Sequence, residues 1–267
     1  KAGQPLVIDA DYDISRANDD CMPGELARLL NVPVVQTPLR LDGGNLLSNG
    51  DGLAITTSRL FDENAFGEMD ENSMHEALRA SFGLNQVVVL EPLQDEPTGH
   101  VDMFATFTAA NVVVVGQYDP QDDPVNAAIL DRNAAMLATL KTTKGPLQVW
   151  RIPMPSHETG VWPTYTNVIY ANGVLLMPTY GELDGPERMQ ATFVFSRLLP
   201  QWKIVGIDAS RLIESEGALH CVTMNLGPLD RLPEFPQPRL RAADTEELIV
   251  DEPNSLWRDA EALFARH

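Results

Sequence analysis

Short apolar stretches, turn residues and amphipathic segments follow one another along the chain in an order that recurs. Two apolar strands joined by a tight turn precede a helix and then a third strand, so the pattern predicts a repeated ββαβ unit. Tight hairpins need residues that tolerate positive φ, which favours Asn, Asp and Gly at the turn. The predicted hairpins cover residues 44–58 around Asn49-Gly50 and Asp51-Gly52, residues 101–118 around Ala110-Asn111, and residues 165–180 around Asn172-Gly173.

The predicted helices carry start and stop signals. The helix over residues 19–30 begins with Asp19 and Asp20, and Pro23 lies near its start. The helix over residues 73–82 has Ser73 and Glu76 at capping-box spacing and ends at Gly83. Further helices are predicted over 124–141, 185–199 and 255–266, and strands over 32–39, 85–93, 146–154 and 202–210.

Four rounds of this pattern are visible, and no linker rich in Pro, Gly and Ser separates them. They predict one α/β domain over residues 1–267, with the Pro-rich segment 227–247 as a surface loop. The first round begins with the strand 5–13, which has no hairpin partner before it. Because an open sheet edge favours unwanted pairing, we expect a further N-terminal segment, either upstream of Lys1 or in another chain, to complete this domain.

Charge and hydropathy limit the partners. The 267 residues include 19 Lys and Arg against 38 Asp and Glu, a formal net charge of −19. This charge disfavours nucleic acid as a partner; it suits either attraction of cationic substrates or an ordinary solvated acidic surface. No apolar run of roughly 18 residues predicts a membrane span. The sequence does not decide between an extracellular and a cytoplasmic location.

Cysteine and histidine spacing predicts no metal or cofactor site. Cys21 and Cys221 form no CxxC pair and are too few for a disulfide framework. The five histidines show no HExxH or other close metal-ligand spacing. Cys21 lies near a helix start and receives no role.

Cys221 has two interpretations: a small buried hydrophobe, or a nucleophile that needs a nearby base. Its neighbour His220 is not expected to help, because consecutive residues of a strand point to opposite faces. His100 and Asp102 lie two residues apart in "TGHVDMF" and would face the same side if this stretch is extended. Such a pair could supply an acid or base and a carboxylate to one pocket, although surface strands also produce it.

The segment "LDGGNLLSNGDG" (41–52) contains a third group of candidate residues. Adjacent glycines at 43 and 44 predict a sharp bend or a close backbone approach. Asp42 and Asn45 flank this bend. A plain turn before a hairpin is the alternative interpretation.

Several segments together, in this order, resemble the bacterial peptidylarginine deiminase and agmatine deiminase family of guanidino-group-modifying enzymes, which have the pentein fold. The resemblance covers nearly the whole chain. The segments are "DISRANDD", "LARLLNVPV", "DGGNLLSNGDG", "GHVDMF", "YTNVIYANGVLLMP" and "GALHCVTMNL".

The resemblance implies a fold and a reaction. The fold is an α/β propeller of ββαβ units around a pseudo-fivefold axis, with the first unit incomplete here. Cys221 matches the nucleophile that attacks the guanidinium carbon, His100 matches the acid/base, and Asp102 matches a carboxylate that holds the guanidinium nitrogens. A covalent thiouronium intermediate is then hydrolysed to a ureido group, and no metal or cofactor is needed.

Further matches concern substrate binding. Asn167 matches an Asn at the active-site mouth, and Gly44 and Asn45 match a GGN turn beneath the pocket. Arg16 matches an Arg that pairs with a substrate carboxylate. Asp42 is a second candidate carboxylate for the guanidinium, because the family's upstream WxRDxGP segment, which carries another substrate-binding Asp, is absent from residues 1–267. Ile14 stands where the peptidylarginine branch has a second Arg, which weakens a preference for C-terminal arginine.

The sequence therefore predicts a deiminase. Conversion of peptidyl-arginine to peptidyl-citrulline is favoured over agmatine deimination, because "RANDD" and "GGNLLSNG" are closer to that branch. A pentein without activity that only binds cationic ligands or a partner is the alternative from another class. An amidino-group transferase uses similar residues and is excluded only weakly.

Overall fold

The described sheets are built from strands that are close together in the sequence. A computed structural model describes residues 5–12, 16–65, 69–157 and 160–225. The predicted loop 227–247 and the predicted helix 255–266 lie outside these residues. Three of the sheets share one topology, in which the second strand of an antiparallel hairpin also pairs in parallel with the strand that follows the helix. This arrangement confirms the predicted repetition of ββαβ units.

Contacts between Cα atoms divide the chain into two compact units. The first unit contains the residues up to Pro92, together with Gly99–Val101. Strand β1 pairs in parallel with β2, and β3, β4 and β5 form the first three-stranded sheet. The elements are β1 (Val7–Asp11), α1 (Ala17–Asp20), α2 (Met22–Leu30), β2 (Val34–Arg40), β3 (Leu47–Ser48), β4 (Leu53–Thr57), α3 (Arg59–Asn64), α4 (Glu71–Phe82) and β5 (Gln86–Leu90).

Two details of this unit differ from the sequence prediction. The helix predicted over residues 19–30 is two helices, α1 and α2, which meet at Cys21. Helix α4 starts two residues before Ser73 and is capped by Asp70, whose side chain accepts a hydrogen bond from the Ser73 backbone N–H at 2.8 Å. The capping-box assignment was therefore wrong, because an aspartate three residues earlier already satisfies the donor that a cap must satisfy.

The core of the first unit lies where α4 packs against β2 and β5. Its buried side chains come from strands and helices alike, so the amphipathic face of α4 is covered by two different rounds of the repeat. The buried residues of this cluster are Leu39, Leu41, Ala54, Leu60, Met74, Leu78, Leu84 and Val87.

Gly83 and Gly24 provide a matched pair for testing the helix ends. Gly83 ends α4 in the left-handed region at φ 66°, as the sequence predicted, whereas Gly24 lies exposed inside α2, where an added Cβ would meet no described atom within 4 Å. We expect Gly83→Ala to lower the free energy of unfolding by about 1 kcal/mol. Gly24→Ala should leave it unchanged or raise it by up to about 1 kcal/mol. Urea unfolding of both variants checks this, and a shift of both in the same direction would contradict it.

The second unit contains Leu93–Thr98 and the described residues from Asp102 to Asn225. It holds two complete rounds, with the sheets β6-β7-β10 and β11-β12-β13, and helix α6 packs against both β10 and β13. The elements are β6 (Ala105–Ala109), β7 (Val112–Gln117), α5 (Pro124–Ala138), β8 (Lys141–Thr142), β9 (Gly145–Pro146), β10 (Gln148–Pro153), β11 (Ile169–Ala171), β12 (Val174–Thr179), α6 (Pro186–Leu198) and β13 (Lys203–Asp208).

The turn residues predicted the positions of both hairpin turns of this unit correctly. Asn172 and Gly173 join β11 to β12 with φ values of 51° and 80°, and residues 110 and 111 join β6 to β7. The hairpin predicted from residue 101 begins later, at Ala105, because Val101–Met103 form a 3₁₀ turn. The assumption that residues 100–102 are extended was therefore wrong.

The structure confirms an α/β fold of repeated ββαβ units. In the described ranges, the strands form open sheets of two or three strands, and no closed sheet is present. A propeller with a pseudo-fivefold axis and a single domain over residues 1–267 stay predictions. None of the helices in these ranges has the length and hydropathy needed to cross a membrane.

Candidate active site

Cys221 lies in a short 3₁₀ turn, His220–Val222, closed by a hydrogen bond from the Thr223 N–H to the His220 carbonyl at 3.1 Å. Successive side chains of such a turn are not on opposite faces, so His220 and Cys221 both contact Asp102. The argument that excluded His220 was wrong, because it assumed an extended backbone.

Asp102 is the centre of this cluster and is only 1% exposed. Its Oδ2 lies 2.8 Å from His220 Nδ1, accepts a hydrogen bond from Asn167 Nδ2 at 2.9 Å, and is 3.5 Å from Cys221 Sγ. Its Oδ1 is also buried but has no hydrogen-bond partner among the described residues. A buried carboxylate oxygen without a donor is costly, so this atom is suited to a ligand that brings N–H groups.

Asn167 connects the carboxylate to the cysteine turn and is fully buried. Besides its bond to Asp102, its Nδ2 donates to Cys221 Sγ at 3.1 Å. Its Oδ1 accepts the backbone N–H groups of His220 at 2.8 Å and Cys221 at 3.4 Å. The neighbouring Thr166 hydroxyl donates to the Asp102 carbonyl at 3.1 Å. The loop before β11 therefore fixes both the carboxylate and the turn that carries the thiol.

The sulfur of Cys221 is crowded, although the residue as a whole is exposed. A Cβ on Gly217 would lie 3.2 Å from Sγ, so glycine at this position leaves room for the sulfur. Burial raises the pKa of the Cys221 thiol to about 12, and the Asp102 carboxylate contributes to this rise. Hydrogen bonds from the Ala218 backbone and from Asn167 act in the opposite direction. Without a ligand, the thiol is therefore protonated at neutral pH.

We expect iodoacetamide to alkylate the exposed Cys21 faster than Cys221 at neutral pH, by about tenfold or more, because the thiolate is the nucleophile. The Cys221 rate should still be rising near pH 12, as followed by mass spectrometry of the two peptides.

The raised pKa of Cys221 also predicts how the free energy of unfolding changes with pH. Between the ordinary thiol value of 9.0 and about 12, the unfolded chain releases a proton that the native protein keeps, so this group lowers stability as pH rises through that window. A Cys221 rate that levels off near pH 9 would contradict both expectations.

His100 belongs to the first unit, where its Nε2 lies 3.1 Å from Asp42 Oδ2. Both side chains are partly exposed, at 15% for His100 and 22% for Asp42. The carboxylate orients the imidazole ring, and the ring keeps access to solvent. Asp42 is therefore a partner of His100 in the structure.

Asn45 supports the backbone that leads into His100. It is 1% exposed, and its Oδ1 accepts hydrogen bonds from the Thr57 N–H at 3.1 Å and from the Val101 N–H at 3.3 Å. The Thr57 hydroxyl donates to the Gly99 carbonyl at 2.6 Å. The sequence analysis missed Thr57. The available signal was two adjacent threonines, 56 and 57, at the end of an apolar strand.

The remaining candidates occupy different surroundings. Gly44 lies half-buried in the 3₁₀ turn Gly43–Asn45. Arg16 lies on the surface at the start of α1, where its Nε is 2.6 Å from Asp19 Oδ2 and both side chains are exposed. The structure thus brings together Asp42, Asn45 and His100 in the first unit, and Asp102, Asn167, His220 and Cys221 in the second.

The sequence model for the Porphyromonas-type peptidyl-arginine deiminases matches residues 11–227. The chain belongs to this family. The match includes both clusters just described. In the described ranges, no group of three or more His, Cys, Asp or Glu side chains is arranged to hold a metal ion.

Individual relatives are similar over most of this chain. A putative agmatine deiminase of Yersinia pestis is 24% identical over 71% of this chain and 58% of its own length. A putative agmatine deiminase of Latilactobacillus sakei subsp. sakei is 27% identical over 70% of this chain and 58% of its own length. The chain thus spans less than two thirds of the length of these curated relatives.

Solved structures of the family have a similar fold. The putative arginine deiminase from Porphyromonas gingivalis superposes with a TM-score of 0.74 at 26% identity, covering 84% of this chain and 70% of its own. The agmatine deiminase of Enterococcus faecalis superposes with a TM-score of 0.72 at 20% identity, covering 83% and 69%. The second likeness is evidence for the fold alone.

Proposed function

We propose that this chain carries the reactive centre of a cysteine-dependent deiminase, which hydrolyses a guanidinium group to a ureido group and ammonia. The observation that carries the proposal is the buried Oδ1 of Asp102, which no donor in the described ranges reaches, in the same cluster as the Cys221 thiol. A guanidinium is planar, cationic and rich in N–H donors, so it suits a carboxylate oxygen of this kind. Family membership supports the same reaction.

The proposed reaction has two steps. The Cys221 thiolate attacks the guanidinium carbon to form a C–S bond, and ammonia leaves after its nitrogen takes up a proton. Water then attacks the thiouronium carbon, the C–S bond breaks, and the ureido product and the thiol are released. We assign the proton transfers to His100, whose ring Asp42 orients at 3.1 Å. His100 takes the thiol proton and gives it to the departing ammonia; it then takes a proton from the attacking water and returns it to the released thiolate.

Binding of a cationic substrate would also lower the pKa of the Cys221 thiol. Burial and the negative charge of Asp102 hold the thiol proton in the free protein. A bound guanidinium places positive charge beside both groups, and opposite charge favours the ionised form. In the proposed mechanism, the reactive thiolate therefore forms mainly in the complex, which protects the free enzyme from stray electrophiles.

We propose an alkylguanidine with a second positive charge, such as agmatine, as the substrate. The curated relatives are named agmatine deiminases, which supports this choice over the peptidyl-arginine preference predicted from "RANDD" and "GGNLLSNG". A cavity of about 110 Å³ in the second unit is consistent with it, because the lining includes Glu96, Glu214 and Glu216. Met103, which follows Asp102, lines the same cavity. Carboxylates there would favour an amine and oppose the carboxylate of free arginine.

Peptidyl-arginine remains the second candidate, since the matching family model is described by that substrate. We also propose that the complete fold is a propeller of ββαβ units around a pseudo-fivefold axis. The three described sheets that share one topology support this arrangement.

The test is incubation of the protein with agmatine, an arginine peptide and free arginine together, followed by mass spectrometry of all three. Ureido product from agmatine alone supports the proposal, and product from the peptide alone would replace agmatine by peptidyl-arginine. Absence of product from all three would contradict deiminase activity of this chain and favour a protein that only binds cations.

A further inference from the structure

We propose that His220 is a positioning residue for the Asp102 carboxylate, holding Oδ2 so that Oδ1 is presented to the substrate. This inference rests on the proposed function. Its direct evidence is the 2.8 Å contact between His220 Nδ1 and Asp102 Oδ2. The buried Oδ1, in contrast, has no hydrogen-bond partner in the part of the chain that the structure describes.

The two oxygens of Asp102 are in unequal surroundings. A carboxylate turns easily about its last side-chain bond unless donors fix it, because that torsion is broad. Two nitrogens, Asn167 Nδ2 and His220 Nδ1, reach the same oxygen at 2.9 and 2.8 Å. Both oxygens could accept hydrogen bonds, yet both nitrogens are at Oδ2. The arrangement therefore fixes the carboxylate plane and leaves Oδ1 as the available acceptor.

The contact determines the tautomer of His220. An ionised carboxylate only accepts hydrogen bonds, so Nδ1 must carry the proton in the neutral imidazole, and Nε2 then has none. The side chain is 30% exposed, so Nε2 can be reached by solvent. The backbone N–H of His220 is held as well, by Asn167 Oδ1 at 2.8 Å. His220, Asn167 and Asp102 thus form a closed ring of hydrogen bonds around the thiol.

A positioning role differs from simple packing in its chemical requirement. Packing would require a ring of similar size, whereas positioning requires an N–H donor at the place of Nδ1. The amide nitrogen of asparagine can reach that place, but a leucine of similar volume offers no donor. His220→Asn and His220→Leu therefore separate the two roles.

The first experiment needs no turnover. Nitrogen-15 NMR of the imidazoles, well above the ordinary histidine pKa, should show His220 as the Nδ1–H tautomer. Asp102→Ala should return it to the Nε2–H tautomer that free histidine prefers. An Nε2–H tautomer in the unaltered protein would overturn the inference whether or not the chain is a deiminase.

The second experiment measures agmatine binding by isothermal titration calorimetry in a Cys221→Ala background, where neither turnover nor ionisation of the thiol interferes. We expect His220→Leu to raise the dissociation constant by about tenfold, because a hydrogen bond to a charged group is lost. His220→Asn should recover most of this loss. Arg151→Leu removes another ion pair of the same unit, with the exposed Asp131 at 2.9 Å, and should leave the dissociation constant unchanged.

The outcomes distinguish the two proposals. An equal dissociation constant with His220→Leu and with His220 present would overturn the positioning role, as would an asparagine variant that folds but binds no better than the leucine variant. If agmatine does not bind even when His220 is present, the proposed substrate falls, and the tautomer measurement still decides whether His220 holds Asp102.

Discussion

Replacing Cys221 by alanine is expected to lower ureido formation by at least about 10³-fold, because no other group of the cluster can form the covalent intermediate. Asp102, Asn167 and His220 would remain, so binding of the guanidinium should be largely kept. Measured by mass spectrometry, the loss should therefore lie in kcat and not in KM.

Cys21→Ala is the matched control, since Cys21 is the other cysteine of the chain and is exposed near a helix start. Its activity should equal that of the unaltered protein. Residual turnover above about one per cent in Cys221→Ala would argue against thiol chemistry, whereas loss of turnover in both variants would indicate a general sensitivity to cysteine replacement.

Replacing Asp102 by asparagine is expected to move two measurements in opposite directions. Agmatine turnover should fall by over about a hundredfold, because the substrate cation loses its buried charged partner. Alkylation of Cys221 by iodoacetamide at neutral pH should become faster, because removal of the Asp102 charge takes away one cause of the raised thiol pKa. A fall of one unit in this pKa would raise the thiolate fraction about tenfold.

Asp131→Asn offers a control, since Asp131 is a carboxylate of the same unit that pairs with Arg151 on the surface. It should change neither measurement. Slower alkylation in Asp102→Asn would mean that the carboxylate assists ionisation of the thiol, and the proposed order of binding before ionisation would then be wrong.

The sequence predicted the fold better than the site. Turn residues such as Asn172 and Gly173 act locally, so their hairpin could be located from a few neighbouring residues. Helix α4 was placed to within two residues at its start, and the error arose because Asp70 and Ser73 are both good capping residues.

The conformation of the two segments that carry Asp102 and Cys221 depends on contacts from distant parts of the chain. Residues 101–103 form a turn whose carbonyl at Asp102 is held by Thr166, and the turn at His220 is held by Asn167. Neither contact leaves a periodic pattern in the sequence. Cys221 and Asn167 were therefore predicted together only through the resemblance to the family, and the part played by His220 was missed.

The contacts at Asp102 Oδ2 join residues far apart in the sequence, so this site forms later during synthesis than the sheets do. Each sheet pairs nearby segments, as Leu53 with Gln86 and Val174 with Lys203, so a round can form soon after it leaves the ribosome. Cys221, in contrast, is 119 residues from Asp102. Translation can therefore complete the three described sheets before the thiol exists, and a chain stopped short of residue 221 would lack the proposed nucleophile.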